Sequence, residues 1–303
     1  MRAVLLREPG GPEQLELTEV PDPEPGDGQV LLRVRAAGIN FSDVLTRQGR
    51  YPQAPSLPTV LGYEASGEVD GRRVMSASVS TGYSELCAVD EEWLVPIPDS
   101  ASFEEGASFL TTFLTAWIPL RRAGAGPGTT VLVHAAAGGV GSAGVQLAKQ
   151  LGAHVVATAS SDEKRRVALD LGADEAFGYD EFADQVKADV VLDAVGGDVF
   201  KRSIGTLNPL GTIVAAGFAD GWWEPLDTPL MVGRNLTLQG FYLGRLMKLR
   251  PDVVQAATRE LVALWETGAV KPLVGATFPL EEAGDAHRLI EERKSVGKVV
   301  LVP

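Results

Sequence analysis

The first hundred residues alternate short apolar runs with proline and glycine punctuation. Ala3–Leu6, Leu15–Val20 and Val30–Ala37 have strand spacing, and turns such as Pro21-Asp22-Pro23-Glu24-Pro25-Gly26 divide them. Val60–Val69 and Arg73–Met75 continue the pattern. Strands that follow one another without helices between them predict a barrel-like or sandwich domain. Ser102–Leu120 then changes to helical spacing. Ser102 can cap its N-terminus, and Glu104 and Glu105 put negative charge in the first turn, where the helix dipole favours it.

From Thr130 strands and helices alternate. The predicted strands are Val131–His134, His154–Thr158, Glu175–Phe177, Asp189–Asp193, Gly211–Ala216 and Leu236–Phe241. The helices between them are Ser142–Leu151, Glu163–Leu171, Glu181–Val186 and Val199–Leu207. Six strands in βαβ alternation predict an α/β domain with a doubly wound parallel sheet of the Rossmann kind. Two helices, Asp252–Glu266 and Glu281–Arg293, and a strand, Lys298–Val302, close the chain. That strand has no seat in a six-stranded sheet. Its expected place is the N-terminal β domain, which becomes discontinuous: residues 1–115 with 243–303, around a dinucleotide-binding domain of residues 116–242.

The stretch Thr130–Gly152 gives this alternation a chemical meaning. A run of β-formers, Val131-Leu132-Val133, leads into a turn of small residues, Ala135-Ala136-Ala137-Gly138-Gly139-Val140-Gly141, and then into a helix closed by Gly152. Strand, glycine turn and helix form the context of a dinucleotide fingerprint, in which bare backbone and helix N–H groups meet a pyrophosphate. Ala136 stands at the first fingerprint glycine, while Gly138 and Gly141 keep the other two. At the end of the next strand an acidic residue would bind a ribose 2′-hydroxyl. By spacing, Ala159 occupies that place, followed by Ser160, Ser161, Lys164 and Arg165, a set suited to a 2′-phosphate and hence to NADPH. The competing readings are a solvated face for Lys164-Arg165-Arg166 and a shifted turn that brings Asp162 or Glu163 to the ribose.

Composition narrows the class. The net charge of −13 argues against a general nucleic-acid binder. One cysteine, Cys87, excludes an internal disulfide and a cysteine-rich zinc site. No apolar run reaches the roughly 20 residues of a membrane span, and Glu8 and Pro9 interrupt the N-terminus too early for a secretory signal. The expected location is cytoplasmic, with no membrane partner.

The opening MRAVLLREPGGPEQLELTEVPDPEPGDGQVLLRVRAAGIN, the AAAGGVG turn and the closing GKVVLVP occur in an order that resembles the zinc-free quinone oxidoreductase (zeta-crystallin-like) branch of the medium-chain dehydrogenase/reductase superfamily. The resemblance implies a six-stranded Rossmann domain beside a discontinuous, mostly β, GroES-like domain. It also implies cofactor contacts at Asn40, Ala137, Gly138, Gly139, Val140 and Gly141, with Lys164 as the phosphate-binding lysine and Tyr179 near the same phosphate. Thr115, next to Leu114, is implied beside the nicotinamide, with Gly217, Phe218 and Phe241 at strand ends near the cofactor. Asn40-Phe41-Ser42-Asp43 matches the family's Asn-x-x-Asp element. Asn40 lines the cleft and can donate to a substrate carbonyl. Asp43 reads as a polar orienter or, in preference, as a structural partner. Tyr51, before Pro52, is a candidate proton donor, and Tyr63 a second polar group or simply a space filler.

Zinc-dependent relatives place metal ligands where this chain has Asn40, Tyr63 and about Thr111, none of which offers a thiolate or imidazole. His134, His154 and His287 are spread across the chain and read as packed or surface residues; Cys87 reads as a small buried hydrophobe. No metal is expected. The implied activity is NADPH-dependent hydride transfer to a quinone or conjugated enone. The alternatives are a 2-enoyl-thioester reductase and a non-catalytic NADPH-binding sensor or nucleic-acid-binding protein. The sequence is short between Glu68-Val69 and Asp70-Gly71, and again after Met75, which bears on substrate range. The family's dimer habit implies a homodimer through the sixth Rossmann strand, Leu236–Phe241, an apolar edge open to pairing.

Overall fold

Strand Arg2–Leu6 turns Ala3, Val4 and Leu6 fully inward, and it pairs antiparallel with Leu15–Glu19 and Thr59–Val60. In this computed structural model, which describes residues 1–223 and 225–303, those strands belong to the first of two units. That unit comprises Met1–Thr111 with Pro272–Pro303, and the second comprises Thr112–Lys271.

The larger sheet of the first unit is organised by the long strand Gln29–Ile39. Leu86–Asp90 and Ala65–Val69 pair with it, and Arg72–Ser76 and Val95–Pro96 extend the sheet beyond Ala65–Val69. The closing strand Lys298–Val302 pairs antiparallel with its last residues, Val299 facing Ile39 and Leu301 facing Ala37, and Val274–Pro279 continues the sheet outward. The C-terminus therefore returns to the N-terminal β structure, as its sequence position implied. Leu32, Val34, Leu61, Tyr83, Cys87, Val299 and Leu301 fill the core. Burial pushes the Cys87 thiol up to about 12, which makes it an inert hydrophobe.

The second unit holds six parallel strands in the spatial order Glu175–Phe177, His154–Thr158, Thr130–Val133, Ala188–Asp193, Leu207–Ala215 and Thr237–Gly240. In chain order this is 3-2-1-4-5-6, with the reversal between the first and fourth strands. Helices Gly139–Gln150, Asp162–Asp170, Phe182–Gln185 and Gly197–Thr206 are the crossovers. Strands covered on both faces read as continuous apolar runs, and Val131, Leu132 and Val133 are wholly buried. Among the described residues no helix is long and apolar enough to cross a membrane.

Two expectations change. The helical stretch Ser102–Leu120 is two helices, Phe103–Gly106 and Leu110–Arg122. Ser102 and Glu105 form a reciprocal capping box on the first (Ser102 N–H to Glu105 Oε2 at 2.9 Å), which stops after one turn at Gly106. Residues 243–271, expected with the β-rich domain, lie in the Rossmann unit. Helix Pro251–Glu266 buries Val254, Ala257, Leu261 and Trp265 there. Its Glu260 accepts the Trp117 indole N–H at 2.9 Å and pairs with Arg121. Gln150 and Gln146 then hold the following chain at Ala269 and Lys271.

Candidate active site

The first unit contributes a polar cluster at the end of its long strand. Asn40 follows Ile39 and caps helix Phe41–Arg47, an element too short to leave a helical period in the sequence. Its N–H donates to Asp43 Oδ2 at 2.7 Å, and the Asp43 N–H returns to the Asn40 carbonyl at 2.9 Å. Asp43 is fully buried, and burial pushes its carboxyl up to about 7 against the hydrogen bond from Asn40. Asp43 thus closes the helix N-terminus.

Glu64, also fully buried, accepts the Thr111 N–H at 2.8 Å on Oε1 and receives the Lys298 ammonium at 3.0 Å on Oε2. Lys298 Nζ also donates to Asn40 Oδ1 at 2.7 Å and to the Ile39 carbonyl at 2.9 Å. The Tyr63 hydroxyl lies 3.0 Å from Thr46 Oγ1, and the Tyr51 and Tyr63 rings are 6.2 Å apart. Asn40, Asp43, Tyr51 and Tyr63 are therefore brought to one region of this unit. Neither Lys298 nor Glu64 was singled out in the sequence.

A second buried cluster anchors the same short helix. Arg47, wholly inaccessible, donates to the Gly10 carbonyl at 2.6 Å and to His287 Nδ1 at 3.3 Å, and pairs with Glu291 at 2.5 Å. Burial, aided by the Arg47 charge, pushes His287 down to about 3 and keeps it neutral. With Nδ1 accepting from Arg47, the proton sits on Nε2, which donates to the Tyr83 hydroxyl at 3.1 Å.

In the second unit the glycine turn is built as the fingerprint requires. Ala135 takes a left-handed φ of 50°, and the Gly138 N–H donates to its carbonyl at 2.8 Å. Gly138 then caps helix Gly139–Gln150, whose first N–H groups have no acceptor within the helix. A Cβ on Gly141 would lie 2.1 Å from the Ala135 carbonyl oxygen, and one on Gly144 would lie 2.6 Å from Leu192 Cδ2. Gly144, which the sequence reading passed over, is thus the glycine that seats the helix on the fourth strand. The Tyr179 hydroxyl accepts the Ala135 N–H at 3.0 Å, so Tyr179 holds the turn itself. His134 is buried between Thr158 Oγ1 (2.7 Å) and Ser203 Oγ (2.6 Å), and burial pushes it down to about 3.

The second Rossmann strand runs parallel to the first, with Ala157 level with Val133, so Ser160 leaves the same edge of the sheet as the glycine turn. Ala159 is buried and Ser160 exposed. The Ser161 hydroxyl accepts the Lys164 N–H at 3.3 Å and caps helix Asp162–Asp170. Arg165 is ion-paired with Asp162. The cap leaves the Ser161 O–H free to donate, since its oxygen only accepts there, and the Arg165 pair engages one NH2 group. Lys164 is half-buried, and desolvation pushes its ammonium below the usual lysine range against the charge of Glu163.

Thr115 and Leu114 are buried on helix Leu110–Arg122. Phe218 stacks on Trp222 (centroids 4.6 Å apart, planes at 9°) just after Gly217, and the Phe241 N–H donates to the Ala215 carbonyl at 3.0 Å. At the end of the fourth strand, buried Asp193 accepts the Val195 and Gly196 N–H groups; burial pushes it up to about 6. Its sequence context gave no sign of this.

The chain matches an alcohol dehydrogenase GroES-like domain over residues 26–99 and a zinc-binding dehydrogenase domain over residues 171–301. A quinone oxidoreductase from Pseudomonas aeruginosa is 37% identical over 317 residues, covering 97% of each protein. A synaptic vesicle membrane protein VAT-1 homolog from Rattus norvegicus is 33% identical over all of this chain and 84% of its own length. Among solved structures, the quinone oxidoreductase from Thermus thermophilus, determined also in complex with NADPH, superposes with a TM-score of 0.93. It is 39% identical over the whole of both chains. The zinc of the second domain's description does not fit the donors present. Asn40, Tyr63 and Thr111 supply no thiolate or imidazole, and Glu64 is already bonded to an ammonium. Among the described residues no group of three His, Cys, Asp or Glu could hold a metal ion.

Proposed function

Because the chain belongs to the zinc-free quinone oxidoreductase branch of the medium-chain dehydrogenase/reductase superfamily, we propose that it is an NADPH-dependent reductase delivering hydride to a quinone or conjugated enone. The observation that carries the choice of cofactor is the end of the second Rossmann strand. Ala159 is buried where a 2′-hydroxyl would need a carboxylate, with Ser160 and the partly desolvated Lys164 beside it. Gly141 leaves no room for a Cβ against the Ala135 carbonyl, so the turn stays tight, and the helix behind it favours a pyrophosphate.

NADPH, when bound, supplies the hydride. The chain's own share is to hold the cofactor, orient the acceptor and stabilise charge. Hydride addition to a quinone or enone leaves negative charge on the acceptor's oxygen, and the Asn40 amide N–H is the donor assigned to that oxygen. Tyr51 is the candidate source of the proton that completes reduction.

The test is loss of NADPH absorbance with benzoquinone, phenanthrenequinone, an alkenal and crotonyl-CoA, with NADH and EDTA as controls. Quinone or enone turnover that prefers NADPH and survives EDTA supports the proposal. Turnover of crotonyl-CoA alone moves the protein to enoyl-thioester chemistry. Tight NADPH binding without turnover makes it a sensor. Lys164→Ala should weaken NADPH binding about tenfold or more, in line with about 1.5–3 kcal/mol for a hydrogen bond to a charged group, and should leave NADH within about twofold. Equal loss for both cofactors in fluorescence titration would overturn the NADPH assignment.

The sixth Rossmann strand suits a homodimer. Thr237–Gly240 is an edge of its sheet, and Leu238, Val232, Tyr242 and Leu249 are exposed on the same unit. Light scattering should give twice the chain mass for the protein and a monomer for Leu238→Lys, a charge that blocks edge pairing. A monomeric mass for the unaltered protein would remove the dimer from the proposal.

A further inference from the structure

Lys298 sits at the start of the closing strand with its side chain 5% exposed. An ammonium has three donors and no acceptor. Here all three have oxygen partners: the Ile39 carbonyl, Asn40 Oδ1 and Glu64 Oε2 at 2.9, 2.7 and 3.0 Å. This arrangement determines the amide of Asn40. The oxygen and nitrogen of an asparagine are interchangeable in shape, and only their partners decide which end is which. Against an ammonium, only the oxygen is tolerated. The Nδ2 end then meets only acceptors, and its contacts are long, 3.4 Å each to the Gly38 carbonyl and to Glu64 Oε2. Asn40 is half-buried rather than sealed, and both Nδ2 hydrogens are held only by these two long contacts, which a closer oxygen can replace.

We propose that Lys298 is a positioning residue for Asn40, fixing the amide so that it presents an N–H donor to the acceptor's oxygen. The kinetic consequence rests on the role given to Asn40 above; the orientation itself does not. Lys298 does not donate to the acceptor, since its three hydrogens are engaged. Glu64 balances its charge, which keeps the ammonium inside.

The chain has three asparagines, Asn40, Asn208 and Asn235. Protein labelled with 15N-asparagine therefore shows three side-chain amide pairs, and Asn40→Ala identifies the first by its loss. Lys298→Met alone strands a buried carboxylate, so the variant to use is Lys298→Met with Glu64→Gln, compared with the unaltered protein and with Glu64→Gln alone, in which the ammonium retains the Ile39 carbonyl and Asn40 Oδ1 and gains an amide oxygen in place of the carboxylate. Removing Lys298 should shift the Asn40 pair and leave those of Asn208 and Asn235 in place. It should also lower kcat for benzoquinone about tenfold or more, leave the Kd for NADPH unchanged, and add less than about twofold in an Asn40→Ala background, the non-additivity expected of residues acting as one.

An Asn40 pair that stays in place would overturn the inference, as would a loss of kcat that multiplies onto Asn40→Ala. A pair that moves while Asn40→Ala keeps full turnover would uphold the orientation and overturn the role given to Asn40.

Discussion

Gly141→Ala should cost about 100-fold in kcat/KM for NADPH and about 1–3 kcal/mol of stability. The reason is local and severe. A methyl group at this position would stand 2.1 Å from the Ala135 carbonyl oxygen, well inside any real contact. That oxygen is part of backbone already constrained on both sides: Ala135 is left-handed, its N–H is held by Tyr179, and its carbonyl accepts the Gly138 N–H. The strain is relieved only by moving the turn away from the helix N-terminus. A shift of about 1 Å spoils the alignment of the N–H groups that would meet the pyrophosphate. Gly205→Ala is the matching control. That glycine lies on helix Gly197–Thr206 with nothing within 4 Å of an added Cβ, so the change should raise stability by about 0.5–1 kcal/mol without touching NADPH kinetics. Thermal unfolding and cofactor titration of the two variants together check the argument. Unaltered NADPH kinetics in Gly141→Ala would remove the turn from the cofactor site.

The Rossmann unit was legible because its physics is periodic. A parallel strand buried on both faces must be apolar throughout, as Val131-Leu132-Val133 and Val155–Ala157 are, and crossover helices must separate such runs. Its far boundary was not legible. Helix Pro251–Glu266 reads as amphipathic from its residues alone, but amphipathicity does not name the surface it covers. The hydrogen bond from Trp117 to Glu260 settles that, across more than a hundred residues of chain. Helix Phe41–Arg47 left no period because it is barely two turns long and buries polar residues, Asp43 and Arg47 among them; the partners of Arg47 lie at Gly10, His287 and Glu291.

The candidate site divides along the same line. Residue types with fixed backbone consequences, such as Gly138 and Gly141, could be placed from spacing. Groups whose role is set by a remote partner could not. Ser161 and Arg165 were read as phosphate contacts, and the fold also gives Ser161 a helix cap and Arg165 an ion pair with Asp162, which residue types alone did not announce. Lys298 gave no signal at all, since a lysine after glycine at the head of a strand ordinarily reads as solvated, and only the return of that strand to Ile39 buries it beside Asn40 and Glu64.

Asn40→Ala should lower kcat for a quinone about 10²–10³-fold, the usual consequence of losing one preorganised donor to a developing oxyanion. The Kd for NADPH should stay within about twofold. Asn40→Asp separates donation from packing. The carboxylate has nearly the same shape and can keep the contact with Lys298, but it cannot donate and adds negative charge where charge develops. Its kcat should therefore fall at least as far as that of the alanine variant, and its second oxygen also faces the Gly38 carbonyl and Glu64 where Nδ2 stood. A purely structural Asn40 predicts that activity follows thermal stability in both variants, with no extra loss of kcat in a variant that stays folded. Steady-state rates at saturating NADPH, with thermal unfolding of both variants, decide between the two. Aspartate activity within about threefold of the unaltered protein would take Asn40 out of the chemistry and leave it as the cap of helix Phe41–Arg47.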